Sequence, residues 1–455
     1  MVKEKTKNMT KGNPTKLIIS FVIPLLIGNL FQQLYSVVDT IIVGKYIGVN
    51  ALAAVGSTSS IVFLIGGFVM GLTQGLSILV AQYYGAEDYN NIKKSITMST
   101  CLYLLVGIAI TVVSVIYSRD ILLLLNTPAA IIDEADTYMK IIFMGIFATV
   151  SLNSISGILR ALGDSKNPLY ALLISSVINI VLDIFFIVVF KTGVEGAAYA
   201  TVISQFFAAL FCFYKMCNIK AIKIHKKDWQ FDKRMFVTAF KLGIPVALMN
   251  SVTAVGVMVL QFVVNGYGEI YVAAYSAGSK IVVILELISL TFGSAIATYS
   301  GQNLGAGRID RIKMGMRSTN ILLFLINVCA GLSVVVFGRQ MLGLFVDKSE
   351  VEVINAGYDF LIITSIFVWI LGLLWLYRST LQAIGDTFIP MISGVLEFLS
   401  RIGAAAILPN IMGFRGIALS EVCAWTAATV ILVITYYYRI AKLDKKSEDK
   451  IFIAI

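Results

Sequence analysis

Histidine is all but missing from this chain: among 455 residues only His225 is present. A His-ligated zinc centre or a Ser-His-Asp triad therefore lacks its ligands or its base. The five cysteines (Cys101, Cys212, Cys217, Cys329, Cys423) form no CxxC pair and fall within or at the ends of apolar runs, so they read as small apolar residues. No GxxxxGK[ST] loop occurs, which excludes ATP hydrolysis by that motif. No nucleophile and base, and no metal cluster, stand together at one depth, so the chain does not read as an enzyme and no cofactor is expected. Charge is scarce too: Asp, Glu, Lys and Arg make up 14% of residues, against about 25% in an ordinary soluble domain.

What is present is apolar, at 58% of residues with a mean hydropathy of +0.87. A single core in water stops growing near roughly 250 to 300 residues, so this much apolar chain needs lipid as its solvent. A bilayer core takes about 20 helical residues, and twelve runs qualify. They span 16 to 43, 51 to 80, 95 to 117, 131 to 160, 168 to 190 and 195 to 217, then 235 to 265, 270 to 300, 315 to 337, 353 to 382, 388 to 410 and 413 to 440. The expected fold is an all-α polytopic membrane protein of twelve transmembrane helices. Its parts are a six-helix lobe over 1 to 217, a basic linker over 218 to 234, a second six-helix lobe over 235 to 440, and a tail over 441 to 455.

The net charge of +10 gathers in short segments between apolar runs, so it reads as topology and not as a nucleic-acid surface. Lys3, Lys5, Lys7, Lys11 and Lys16, the linker, the loop from Arg308 to Arg317 and the tail fall on one side of the membrane. By the positive-inside rule that side is the cytoplasm, which places both termini inside a plasma-membrane protein.

The halves repeat. Pro24 and Pro245 sit 221 residues apart in their respective first spans. Shifted by 220, AQYYGAEDYNNIKK (Ala81 to Lys94) matches GQNLGAGRIDRIKM (Gly301 to Met314); shifted by 222, LRALGDSKNP (Leu159 to Pro168) matches LQAIGDTFIP (Leu381 to Pro390). Six spans per half is an even number, so both halves share one orientation and relate by a pseudo-twofold axis along the membrane normal. That is an arrangement of secondary transporters, driven by an ion gradient. Gly67, Gly71 and Gly75, four residues apart, read as a face for close helix packing.

Ionisable groups inside the spans are the informative exceptions, because a charge at mid-bilayer costs about 2.5 to 3.5 kcal/mol on insertion scales. Asp39 lies in the first span, four residues after Tyr35 and soon after Gln32; Asn179 and Asp183 lie four apart on one face of the fifth. Asn153 and Thr201 add neutral oxygens in the fourth and sixth spans. This inventory suits either a hard monovalent cation or a protonated carboxyl; the alternative is that Asn179 and Asp183 only hydrogen-bond neighbouring helices. In the second half, Glu397 and Arg401 are four apart and read as an internal ion pair with Glu421 as a third member, with Arg378 near the end of the tenth span. Glu286 has no sequence-local partner and is the functional candidate there.

With those residues in place, the chain resembles the multidrug and toxic compound extrusion (MATE) transporters over nearly its whole length, and within them the DinF-like branch near MepA-type bacterial pumps. The resemblance implies a monomeric antiporter that expels amphipathic, mainly cationic organic compounds in exchange for Na⁺ or H⁺. It implies a first-lobe cation site of Asp39, Asn153, Asn179, Asp183 and Thr201, with Na⁺ at Asp39, Asn179, Asp183 and Thr201. It places Gln32 and Tyr35 at cavity-lining positions; Ser156 and Glu286 are expected to join them in the substrate cavity, and Pro24, which breaks the helical hydrogen-bond ladder, is expected to act as a hinge. Two departures stand out. The seventh and tenth spans carry no acidic residue of the NorM-like kind between Ile244 and Val264 or between Phe360 and Leu381, and Ser156 stands where some relatives have a second asparagine. A flippase for lipid-linked oligosaccharides is the alternative; its anionic substrate calls for basic residues, and none lies from 17 to 43 or from 169 to 190.

Overall fold

In hydrocarbon every peptide group must find its partner within the chain, and the computed structural model answers with helices throughout the residues it describes, 8 to 219 and 222 to 448. Lys3, Lys5, Lys7 and the last seven residues of the expected tail lie outside them. In order the helices are Pro14–Tyr46 (α1), Val49–Gly85 (α2), Tyr89–Ile116 (α3), Ser118–Leu124 (α4), Ile132–Met144 (α5), Ile146–Ala161 (α6) and Lys166–Asp183 (α7). A π-helical stretch, Ile184–Val189, continues α7 and leads to Val194–Cys217 (α8). After a 3-10 turn at Lys226–Trp229 come Lys233–Asn265 (α9), Glu269–Gly305 (α10), Ile309–Leu342 (α11), Val351–Ile366 (α12), Val368–Ala383 (α13), Phe388–Met412 (α14) and Arg415–Glu448 (α15).

Ten of these are long and apolar enough to cross a membrane, and two bent pairs bring the number to twelve. The bent pairs fall where the fourth and tenth spans were expected as single rods: α5 and α6 meet at 44°, α12 and α13 at 48°. Each break is one residue wide, at Gly145 and Phe367, where the last turn of one helix ends and the next begins. The repeat extends to helix lengths, with 33 residues in both α1 and α9 and 37 in both α2 and α10. It extends to backbone conformation as well. Left-handed residues recur in register at Gly48 and Gly268, Gly163 and Gly385, and Gly193 and Gly413. Glu87 (φ 57°) and Gly307 (φ 69°) match in the same way, so the α2–α3 turn holds a side-chain-bearing residue in a conformation that its counterpart gives to glycine.

The chain forms two compact units, and their boundaries fall inside helices. Unit 1 takes the chain from Ile23 to Ile244, and unit 2 takes Met9–Val22 together with everything from Pro245 onward. The first nine residues of α1 thus count with unit 2 and the first twelve of α9 with unit 1, and Pro24 and Pro245 stand at the two changeovers.

Unit 1 has an apolar core near the α2–α3 turn, built on Val80, Ile92, Ile96, Leu159, Ala171 and Cys212. A second apolar cluster sits by the α1–α2 turn, built on Ile42, Val43, Tyr138, Ile187, Ala197 and Ala198. The close approach expected of the glycine face occurs at Gly75, where a Cβ would fall 2.7 Å from the Leu242 carbonyl oxygen of α9 and 2.8 Å from Gly243 Cα.

Candidate cation site

Between the two apolar clusters of unit 1, polar side chains converge. Four-residue spacing sets Asn179 and Asp183 one above the other on α7, where they are 1% and 0% exposed. The same spacing on α1 aligns Tyr35 with Asp39, both half-buried. The Asp39 and Asp183 carboxyl groups lie close enough to interact directly across the gap between α1 and α7. One turn beyond each of them, Ile42 and Val43 on α1 and Ile187 in the π-helical stretch join Ala197 and Ala198 of α8 in the second apolar cluster.

Three of this pair's four carboxyl oxygens are unpaired. Both oxygens of Asp183, Oδ1 of Asp39 and both amide atoms of Asn179 are buried without a hydrogen-bond partner among the described residues. Leaving a buried polar atom unpaired costs about 1 to 3 kcal/mol, more for a charged one, so the arrangement calls for a positive ligand. A shared proton would let one carboxyl donate to the other; a small hard cation would use the same oxygens as ligands. No group of three or more His, Cys, Asp or Glu exists among the described residues, so the donors suit a monovalent ion better than a transition metal.

Tyr138, on α5, is the member that the sequence reading missed. It is 9% exposed and lies close enough to Asp39, Asp183 and Tyr35 to interact electrostatically with all three. A tyrosine at helical spacing looks like ordinary packing, and only the fold shows what it faces.

The other expected members are placed differently. Asn153 spends its amide nitrogen on the Thr149 carbonyl of its own helix at 2.9 Å, and Thr149 donates to Gln205 Oε1 at 2.5 Å. Thr201 is half-buried on α8, one turn past the Ala197–Ala198 step. Ser156 is buried against Cys212 Sγ at 3.5 Å, beside the core near the α2–α3 turn and away from the carboxyl pair. Gln32 is exposed, within reach of the Tyr35 hydroxyl. Pro24 lies inside a continuous α1.

Unit 2 holds a buried charge network. Glu397 accepts from Arg378 Nη2 at 2.7 Å and from Arg401 Nη2 at 3.0 Å, while Arg401 Nε donates to Glu421 Oε2 at 3.1 Å. The expected pair of Glu397 and Arg401, with Glu421, is therefore present, and Arg378 enters as a fourth member from α13. Glu286 on α10 lies within electrostatic range of Glu397, Arg401 and Glu421 and adjoins Trp375.

The likeness to known proteins is consistent with this geometry. Residues 24–185 and 245–407 each match the MatE family, one match in each half of the repeat. The chain is 28% identical over 450 residues to the probable multidrug resistance protein YpnP of Bacillus subtilis, covering 98% of this chain and all of that one. It is 24% identical to the multidrug export protein MepA of Staphylococcus aureus, over 95% of this chain and 97% of that one. A crystal structure of MATE in complex with MaL6 superposes with a TM-score of 0.90 at 25% identity, covering 97% of this chain and 100% of its own. Two matched repeats, a fold shared over nearly the full length and a buried carboxyl pair in the first half together place the chain in the MatE family of multidrug and toxic compound extrusion proteins.

Proposed function

We propose that the chain is a secondary active antiporter of the plasma membrane that exports amphipathic, mainly cationic organic compounds in exchange for inward Na⁺ or H⁺. The observation that carries this reading is the pair of Asp39 and Asp183, three of whose four carboxyl oxygens are buried without a donor, a site that a positive ligand would complete. The multidrug names of YpnP and MepA support the substrate class.

Exchange follows from competition. When an ion neutralises the pair, the negative charge that attracts an organic cation is lost and the cation leaves; when the ion departs inward, the charge returns. Each ligand then weakens the other by the same factor, because coupling between binding events is reciprocal. Tyr35 and Tyr138 supply aromatic surface beside the carboxyls, which favours a lipophilic cation through area burial and cation-π attraction. Asn179 Oδ1 and Thr201 offer neutral oxygens to a bound Na⁺. Glu286 and Gln32 belong to the cavity side of this reading, whereas Ser156, buried against Cys212, does not. A lipid-linked oligosaccharide, being anionic, would be repelled by the same pair.

Ethidium-loaded vesicles carrying the purified protein test the reading, with a Na⁺ gradient and a pH gradient imposed separately. Efflux driven by one of them names the ion. If neither gradient moves ethidium or any other organic cation, the antiporter reading fails.

A further inference from the structure

Just ahead of α1 the chain is gripped by its main chain. Met9 is 0% exposed. Its N–H donates to Gln302 Oε1 at 2.9 Å, and its carbonyl accepts from Asn303 Nδ2 and from Arg311 Nη2, each at 3.2 Å. The grip is itself braced. Arg311 Nε donates to Asn303 Oδ1 at 2.9 Å, the guanidinium lies 5.8 Å from the centre of the Tyr299 ring, and the Tyr299 hydroxyl donates to the Arg311 carbonyl at 3.0 Å. Gln302, Asn303 and Tyr299 are fully buried. All these groups stand at the α10–α11 turn of unit 2, and none takes part in the cation site.

The other half does the same work on the other linker. On the first three turns of α3, Thr97 Oγ1 donates to the Asp228 carbonyl at 2.9 Å, Asp232 N–H reaches Met98 Sδ at 3.3 Å, and Lys94 pairs with Asp232 at 3.6 Å. Ile222, 3% exposed, is buried in the unit 1 core nearby. In both halves, then, the segment preceding the half's first helix is fastened to helices of the unit in which that helix begins: the end of α10 and the start of α11 for α1, and the first turns of α3 for α9.

We propose that Arg311, together with Asn303 and Gln302, is a positioning residue for Asp39: by clamping the main chain at Met9 it ties the inner end of α1 to unit 2, so that this helix links the carboxyl pair to that unit. The inference rests on the Asp39–Asp183 reading. Its mechanics are simple. One continuous helix of 33 residues begins in unit 2 and carries Asp39 in unit 1. Were its first turns free, α1 would follow unit 1 alone, and the one helix left running from unit 1 into unit 2 among the described residues would be α9, which carries neither carboxyl of the pair. Clamped, the helix carries a change at the carboxyl pair to its own first turns, and Pro24, which removes a backbone hydrogen bond, stands between the two.

The test compares coupling with binding in the full-length protein. Arg311→Ala is expected to expose the Met9 and Thr10 amides to hydrogen exchange and to lower gradient-driven ethidium efflux by roughly 5- to 150-fold, the ordinary range of coupling between sites. The ethidium dissociation constant, read by fluorescence polarisation, is expected to stay unchanged. Arg311→Lys should recover part of the efflux, because an ammonium still donates to the Met9 carbonyl. Deletion of residues 2 to 9 touches no span and should repeat the Arg311→Ala result even where that variant folds poorly. Wild-type efflux with the amides exposed overturns the proposal, and so does a parallel loss of binding and efflux, which would mark a mere brace. Asp183→Asn run alongside separates the two readings: retained efflux there sinks the cation site, whereas lost efflux there with wild-type efflux in Arg311→Ala sinks only the clamp.

Discussion

Asp39 on α1 faces Asp183, the last residue of α7, and no donor among the described residues stands ready for the buried oxygens of either. Two carboxyls in that position repel when both are ionised, and they cannot satisfy each other without a proton or a cation between them. Asp183→Asn should remove the charge and keep the shape. A charged hydrogen-bond partner is worth about 3 kcal/mol, or about a hundredfold in ion affinity. Resistance to ethidium and gradient-driven efflux should fall accordingly, while the amount of protein in the membrane, measured by immunoblot, stays the same.

In unit 2, Glu397 accepts from the buried guanidiniums of both Arg378 and Arg401, so Glu397→Gln should be costly. Removing one partner of a buried ion pair destabilises by about 3 to 5 kcal/mol because the other charge stays behind. The thermal midpoint in detergent should drop clearly. Arg119→Ala breaks the exposed pair with Asp133 and should leave that midpoint in place, since surface pairs contribute little.

The matched turns offer a paired experiment on backbone strain. Gly307→Ala puts a Cβ on a residue at φ 69°, which costs about 1 to 2 kcal/mol. Glu87→Gly relieves the same strain at φ 57° and should leave the protein as stable or raise its thermal midpoint slightly. A fall in stability for Glu87→Gly would mean that the Glu87 side chain matters more than its backbone.

Asp232 precedes α9 and accepts from the Met235 N–H at 3.0 Å, which with Lys94 nearby holds its carboxyl below the usual carboxylate range. A depressed value means stability that is present above the unfolded value of about 3.9 and is lost as pH falls through the folded one. The protection of amides at the start of α9, taken relative to their intrinsic exchange rate at each pH, should therefore fall below about pH 4. Asp232→Ala should lower it at every pH, remove the acid-dependent step and cost about 0.5 to 2 kcal/mol as a lost helix cap.

The sequence disclosed the spans because a bilayer demands their length, and it disclosed Asp39, Asn179 and Asp183 because charge in an apolar run has to have a reason. It did not disclose the breaks at Gly145 and Phe367, since the chain on either side of each stays apolar and neither is a proline. Arg378 gave no sign of joining Glu397, 19 residues away, for no helical spacing links them. IFFIVV reads as plain span, yet Ile184–Val189 winds as a π-helix directly after Asp183, a form that recurs at functional sites. Asn153 was expected to supply a neutral oxygen, and hydropathy cannot show that its amide nitrogen bonds back to its own helix. The passage of α1 and α9 from one unit to the other is likewise invisible to any pattern of apolar residues.

The grip on Met9 also sets an order of assembly. Its partner Gln302 is 293 residues further along, so at about 5 to 20 residues per second the ribosome needs roughly 15 to 60 seconds to supply it. Throughout that interval the start of the first helix is in place in the membrane with its buried contacts unmade. Unit 2 can be completed only after the α10–α11 turn has emerged, which makes the beginning of the chain one of the last parts to find its seat.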